Sequence, residues 1–276
     1  MTFTQDRLIY QSTERVVFIN FTTAPIGSYA VDSTIAEGTD MPLDHTRPQW
    51  LTFDCYGTLI QWDEGLQAAV AKVLEAHPGS TPRPSAAQFL HEYDDHEHRL
   101  ERTLPYRNFA DVTRESLRLT MAHFGLPYRP EDATMLTSSI SRMPPFPEVV
   151  DTLAKLKQAG FRLCIISNTD DDIIAGNVAQ LGGHIDRVIT AEQAHAYKPS
   201  RAIFAHAHQA LGVTPADVVH ICASPHLDLV AARDIGFRCV WIDRGTGRKP
   251  LPDYRPEATV ATLDRVPDLF RDAGWL

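Results

Sequence analysis

The chain predicts an α/β fold, a Rossmann-like parallel sheet core with an inserted helical cap, and three observations lead there. A short apolar strand at Leu51–Phe53 stops on a carboxylate, Asp54, and a glycine turn. A block from 63 to 143 carries helical periodicity and no strand pattern. From Pro144 onward, strands and helices alternate, as they do where parallel strands are joined by crossover helices. The expected division is therefore a core made of residues 48–62 and 144–276, a cap over 63–143, and a loosely ordered N-terminal extension over 1–47.

In the first strand, apolar Leu51 and Phe53 alternate with Thr52. Gly57 then permits a tight turn, so that the N–H groups of residues 55–58 fold over a small anion and the Thr58 hydroxyl bonds back to Asp54. An aspartate held there is a candidate nucleophile, because carboxylates form covalent esters and acyl phosphates; the plainer reading is a polar strand end beside a turn. In the cap, Leu66, Ala69, Val70, Val73 and Leu74 recur at helical spacing after Asp63 and run out near Pro78. Ser85 and Gln88 form a capping box for a second helix reaching about Leu104. A third helix is expected over Asn108–Phe124 and a fourth over Glu131–Ile140.

The core continues with a helix over 147–159 ended by Gly160, a strand Phe161–Ile166, a helix after Asp170 and a strand Arg187–Thr190. A helix over 200–211, a strand Val218–Cys222, a helix over 227–235 and a strand Phe237–Ile242 follow. Residues 245–256 read as loop and the last residues as a surface helix. In the extension, Arg15–Phe21 is strand-like, but no period follows it, no signal-peptide pattern is present, and Met41 is expected to serve as an alternative start.

A formal net charge of -9 argues against nucleic acid or anionic membrane as partner. No apolar run approaches the roughly 20 residues that cross a bilayer. The four cysteines (Cys55, Cys164, Cys222 and Cys239) fall in expected strands with no CxxC pair, the pattern of buried free thiols in a reducing cytoplasm. A catalytic thiol at Cys55 is the sharper alternative, set aside because the adjacent Asp54 already offers a nucleophile.

Asp54-Cys-Tyr-Gly-Thr58, Ile165-Ile-Ser-Asn168, Tyr197-Lys-Pro199 and the stretch His220 to Asp228 stand in that order over residues 50–245. Together they resemble the four motifs of the haloacid dehalogenase superfamily, which implies a parallel sheet with Asp54 as nucleophile at a strand end and a helical cap closing over it. Tyr56 stands where phosphatases of the superfamily carry a second aspartate, and Ala223 where they carry an additional Mg²⁺-binding acid. Both positions point instead to the 2-haloacid dehalogenase branch. That resemblance implies a small 2-substituted carboxylic acid as substrate, no metal or other cofactor, a cytoplasmic enzyme and a homodimer. It also implies that Ser167, Asn168, Cys55 and Tyr56 contact substrate carboxylate or halide, and that Thr58 and Lys198 stabilise charge. Asp228 either orients Lys198 or activates the hydrolytic water.

The chain departs from that branch in places. The cap arginine of the better-studied enzymes has no counterpart in His91-Glu-Tyr-Asp-Asp-His-Glu-His98, Phe204 replaces a tyrosine, and Ala223 and Pro225 replace a serine and an asparagine. His226, Tyr93 and Arg102 are the candidate substitutes in binding. A changed pocket also admits another leaving group, such as the nitrogen of a strained ring. His91, Asp95 and His98 share a helix face at ligand-like spacing, but a solvated polar face explains them more simply. A Mg²⁺-dependent phosphatase and a non-catalytic binding protein are the alternatives to a dehalogenase.

Overall fold

The computed structural model describes residues 46–78 and 83–276, so the expected extension, its Arg15–Phe21 strand and the Met41 start lie outside the described residues, save Thr46 and Arg47. The elements run β1 (Trp50–Phe53), α1 (Trp62–Glu75), α2 (Ala86–Glu101), α3 (Phe109–His123), α4 (Pro130–Ile140), α5 (Val149–Gln158), β2 (Arg162–Ser167), α6 (Asp171–Val178) and β3 (Arg187–Thr190). There follow α7 (Ala191–Ala194), α8 (Arg201–Leu211), β4 (Val218–Cys222), α9 (Val230–Ile235), β5 (Arg238–Ile242), β6 (Ala258–Val260) and α10 (Val266–Asp272).

The strands form one parallel sheet in the order β3-β2-β1-β4-β5-β6. The chain thus enters at the centre, winds out to one edge and returns to build the other. In such sheets, ligands bind beyond the carboxyl ends of the strands where the order reverses, here at β1 and β4. Strands covered on both faces read as near-continuous apolar runs, and β1 and β4 are buried throughout. Thr52 and His220 interrupt those runs and face each other across the β1–β4 register, where Thr52 Oγ1 and His220 Nδ1 meet at 2.8 Å.

One feature of the C-terminal part differs from expectation. Three residues, Ala258–Val260, add β6 alongside β5; so short a run has no period to read. The last helix is at the surface as expected, with Asp268, Arg271 and Asp272 exposed, and its other face joins the core: Val266 and Phe270 are fully buried, and the Phe270 ring packs on Phe161 at 5.5 Å and on Trp275 at 5.1 Å. All four cysteines are buried and free as expected, although Cys55 lies just past β1 rather than within a strand.

Helices α1–α4 form the block between β1 and α5, with Phe89, Tyr93, Leu117, Met121, Leu136 and Ile140 in its interior. The capping box is present at Ser85, and α2 ends at Glu101, short of Leu104. Buried polar side chains of the core hold this block over the strand ends. Asp170 accepts from the N–H groups of Phe109 (2.7 Å) and Ala110 (2.8 Å) at the start of α3, the Tyr197 hydroxyl donates to the Arg107 carbonyl, and Asn177 Nδ2 donates to the carbonyls of Ile140 and Met143. Among the described residues, no helix is long and apolar enough to cross a membrane.

Candidate active site

A cavity of about 670 Å³ lies between the strand ends and the cap, with Asp54, Ser167, Asn168, Lys198 and Ala223 at one side and Asp94, Glu97, His98 and Glu101 of α2 at the other. Asp54 begins the turn after β1. Gly57 takes φ +81°, a left-handed conformation that a side chain disfavours, and its N–H donates to the Ile60 carbonyl at 2.8 Å. This turn brings Thr58 back, as expected, so that its Oγ1 donates to Asp54 Oδ2 at 2.6 Å. The same hydroxyl oxygen accepts from the Ala223 N–H at 2.8 Å, which ties the β1 turn to the end of β4.

Asp54 is 5% exposed, and both its oxygens are engaged, because Lys198 Nζ donates to Oδ1 at 2.7 Å. Lys198, 2% exposed, also donates to Asp228 Oδ1 at 2.9 Å. Burial on its own lowers an ammonium's pKa, but Asp228 and Asp54 outweigh it and hold Lys198 above its ordinary value. Burial likewise acts to raise Asp228, yet Lys198 and His220 bring it below the usual carboxylate range. The ammonium therefore stays charged between two carboxylates. Asp228 Oδ2 is buried and has no hydrogen-bond partner, which leaves it as an unused acceptor on the far side of the nucleophile's cation.

Asn168 lines the cavity, but its amide is largely committed to the backbone of Lys198: Oδ1 accepts from the Lys198 N–H at 2.6 Å and Nδ2 donates to the Lys198 carbonyl at 3.2 Å. One Nδ2 hydrogen is left for a ligand. Ser167 is 1% exposed with an unpartnered Oγ on the cavity wall. Tyr56 and His226 also line the cavity. Cys55 does not: its side chain is fully buried among the core residues, and burial pushes the thiol far above its usual range, so the expected substrate contact does not run through this side chain. Of the candidates offered for the missing arginine, Arg102 and His226 line the cavity, whereas the Tyr93 hydroxyl donates within the cap to Glu97 Oε1.

Three residues of this region were not singled out from the sequence as functional. His220 links Thr52 to Asp228 Oδ1, which it meets at 3.0 Å through Nε2. Asn177 Oδ1 receives the Tyr56 hydroxyl at 2.9 Å. Arg248, from the loop after β5, lines the cavity and pairs with Asp63 at 2.8 Å. The mid-strand position of His220 and a polar residue in α6 are weak signals, since each reads as ordinary patterning.

Among the described residues, His220, Cys222 and Asp228 form a cluster close enough to share an ion. It is filled from within: Asp228 Oδ1 receives Lys198 and His220, and Cys222 Sγ rests 3.4 Å from Cys239 Sγ. At the cavity floor, Ala223 offers a methyl group where an oxygen ligand would be needed, and the Lys198 ammonium holds the place of a cation. This donor set does not suit Mg²⁺, which requires oxygen ligands in near-octahedral geometry.

A family model described as haloacid dehalogenase-like hydrolase matches residues 49–236. The chain is 31% identical to the (S)-2-haloacid dehalogenase of Pseudomonas sp. (strain YL), over 81% of this chain and 95% of that one. Among solved structures it is similar to the L-2-haloacid dehalogenase of Xanthobacter autotrophicus (TM-score 0.69, 25% identity, 81% of this chain and 98% of that one). It is also similar to a dehalogenase solved with an intermediate complex (TM-score 0.69, 26% identity, 80% and 96% covered).

Proposed function

This chain belongs to the haloacid dehalogenase-like hydrolases, and we propose that it hydrolyses small 2-haloalkanoic acids through an ester on Asp54. The observation that carries this reading is a buried carboxylate at the cavity floor with a lysine on one oxygen and a threonine on the other. Such a group is oriented, desolvated and kept charged before substrate arrives, which is what a weak nucleophile requires.

In the first step an Asp54 oxygen attacks C2 from the side opposite the halogen. The new C–O bond forms as the carbon–halogen bond breaks, the halide leaves with the bonding pair, and configuration at C2 inverts. The unpartnered Ser167 hydroxyl, the remaining Asn168 amide hydrogen and His226 are the polar groups offered to the substrate carboxylate or halide, while Tyr56, whose hydroxyl donates to Asn177, presents its ring. In the second step water attacks the carbonyl carbon of the Asp54 ester and passes one of its protons to solvent in the cavity, while Asp228, buried behind Lys198, holds that ammonium in place. The tetrahedral intermediate expels the alkoxide, which collects the remaining proton from the new carboxyl group. Asp54 is restored as carboxylate and a 2-hydroxy acid departs. Lys198 balances the charge that moves between Asp54 and the tetrahedral oxygen.

The test is chloride release from (S)-2-chloropropionate. It is expected to proceed unchanged in EDTA and to cease in Asp54→Asn; full activity in that variant overturns the reading. Phosphate release from phosphomonoesters that EDTA abolishes is the result that a Mg²⁺-dependent phosphatase gives instead.

A further inference from the structure

The wall of the cavity facing the nucleophile is acidic. Along α2, Asp94, Glu97, His98 and Glu101 follow one another at i, i+3, i+4 and i+7 and all line the cavity. Glu97 is only 6% exposed, and Glu101 lies near enough to Lys198 for the ammonium to act on its titration. Of the cations along the same lining, Arg102 and His98 bear on Glu101 through their charge, and the others are engaged with carboxylates elsewhere. Lys198 sits between Asp54 and Asp228, Arg248 pairs with Asp63, and Arg102 Nε donates to the His98 carbonyl. Among the described residues, no lysine or arginine is ion-paired with Asp94, Glu97 or Glu101; only His98 approaches Glu101, at 3.6 Å.

Buried carboxylates without a cation are costly. Burial, with Glu101 adding to it, pushes the Glu97 carboxyl up to about 8, and burial lifts Asp94 to about 6. Glu97 holds its proton until about 8, and above that pH the wall repels a second anion and favours a cation. Tyr56 and Trp62, with ring centroids 4.9 Å apart, line the same cavity, and aromatic rings attract cations too. A separate observation marks the cavity as a polar ligand's seat: Ser167, 1% exposed, lines it, and its buried Oγ has no hydrogen-bond partner. Size agrees, since about 670 Å³ lies within the roughly 300–1,000 Å³ of pockets that enclose drug-sized ligands. A three-carbon acid leaves much of that space to water.

We propose that the substrate of this site is a zwitterion: a 2-substituted carboxylic acid whose chain carries a protonated amine, held against Asp94, Glu97 and Glu101 while C2 meets Asp54. This rests on the reading of Asp54 as nucleophile and adds the substrate class. The acid end belongs with Ser167 and Asn168 and the ammonium end with α2.

Calorimetry on the intact protein with two unreactive isosteres, 5-aminopentanoate and hexanoate, tests the proposal at a pH above 8, where Glu97 is ionised by itself. The ammonium acid is expected to bind at least about tenfold tighter. That preference is expected to vanish in Asp94→Asn/Glu97→Gln, in which the introduced side-chain amide at position 97 still accepts from the Tyr93 hydroxyl. Equal affinities in the unaltered protein, or a preference that survives in the variant, overturn the proposal. The unaltered protein supplies the first of these outcomes whether or not the variant folds. Chloride release from (S)-2-chloropropionate, compared with Asp54→Asn, decides the underlying reaction separately, so failure of one is not mistaken for failure of the other.

Discussion

His220 Nε2 lies 3.0 Å from Asp228 Oδ1, the same oxygen that receives the Lys198 ammonium at 2.9 Å. An ionised carboxylate only accepts, so the Nε2 nitrogen carries a proton, and the Thr52 hydroxyl at 2.8 Å from Nδ1 fixes the ring plane. The chain Thr52, His220, Asp228, Lys198, Asp54 therefore runs from the sheet interior to the reacting oxygen, and it leaves Asp228 Oδ2 free. His220 is a positioning residue in this arrangement. His220→Phe is expected to lower kcat for halide release by about 10–100-fold with little change in KM, the effect typical of lost orienting partners. His220→Gln, whose amide nitrogen reaches a similar place, is expected to recover part of the loss. An unchanged kcat in His220→Phe removes the role.

Lys198→Met removes the cation that two buried carboxylates share. Breaking a buried ion pair from one side costs about 3–5 kcal/mol, because the uncompensated charge remains. Urea unfolding at neutral pH is expected to show a loss of that order, together with loss of halide release. Since Asp228 is held below its usual range chiefly by Lys198, the variant is expected to regain stability as the pH falls and the carboxylates take up protons. A stability equal to that of the unaltered protein contradicts the network.

The strand ends and their motifs were legible because their signals are local. Apolar runs stop on Asp54, Ser167 and Cys222, a glycine follows Asp54 at the turn, and parallel strands deliver all such ends to one side. The pairing of Thr52 with His220 was not legible, since it depends on β1 and β4 being neighbours across 168 residues of chain. The same holds for Asn177, which reaches Tyr56 from within a helix, and for Arg248, whose loop position has no pattern at all. On α2 the face read from the sequence was His91, Asp95 and His98, whereas Asp94, Glu97, His98 and Glu101 meet the cavity; a sequence does not say which face of a helix meets water. Cys55 was expected at the ligand by analogy of position; its backbone takes the turn while its side chain points into the core.

Gly176 of α6 approaches the end of the cap closely. A Cβ built there would stand 2.4 Å from both the carbonyl oxygen and the Oγ of Ser141, and a backbone atom cannot swing away as a flexible side chain does. Neighbouring Asn177 fastens the same segment through Ile140 and Met143 and holds the Tyr56 hydroxyl. Gly176→Ala is expected to lose about 1–3 kcal/mol of stability, the usual cost of overpacking. Because the displaced segment joins cap to core, a rise in KM is expected alongside. Thermal unfolding and halide-release kinetics check both, and an alanine tolerated without change shows that the approach is not tight.

Glu97 supplies a pH signature of the acidic wall. Its carboxyl is raised from 4.5 to about 8, first by burial and then by Glu101, against the hydrogen bond from Tyr93; Asp94 and His98 of the same helix face it as well, and Lys198 bears on Glu101 from the core. A raised carboxyl binds its proton more tightly in the folded chain than in the unfolded one. Its contribution therefore favours folding below the unfolded value and is lost as the pH climbs from about 4.5 through 8. Glu97→Gln retains an acceptor for Tyr93 and has no proton to lose. Its stability relative to the unaltered protein is expected to grow across that window by up to a few kcal/mol and to level off above it. Parallel stability curves for the two proteins, measured by urea unfolding across the window, exclude a buried, proton-holding Glu97.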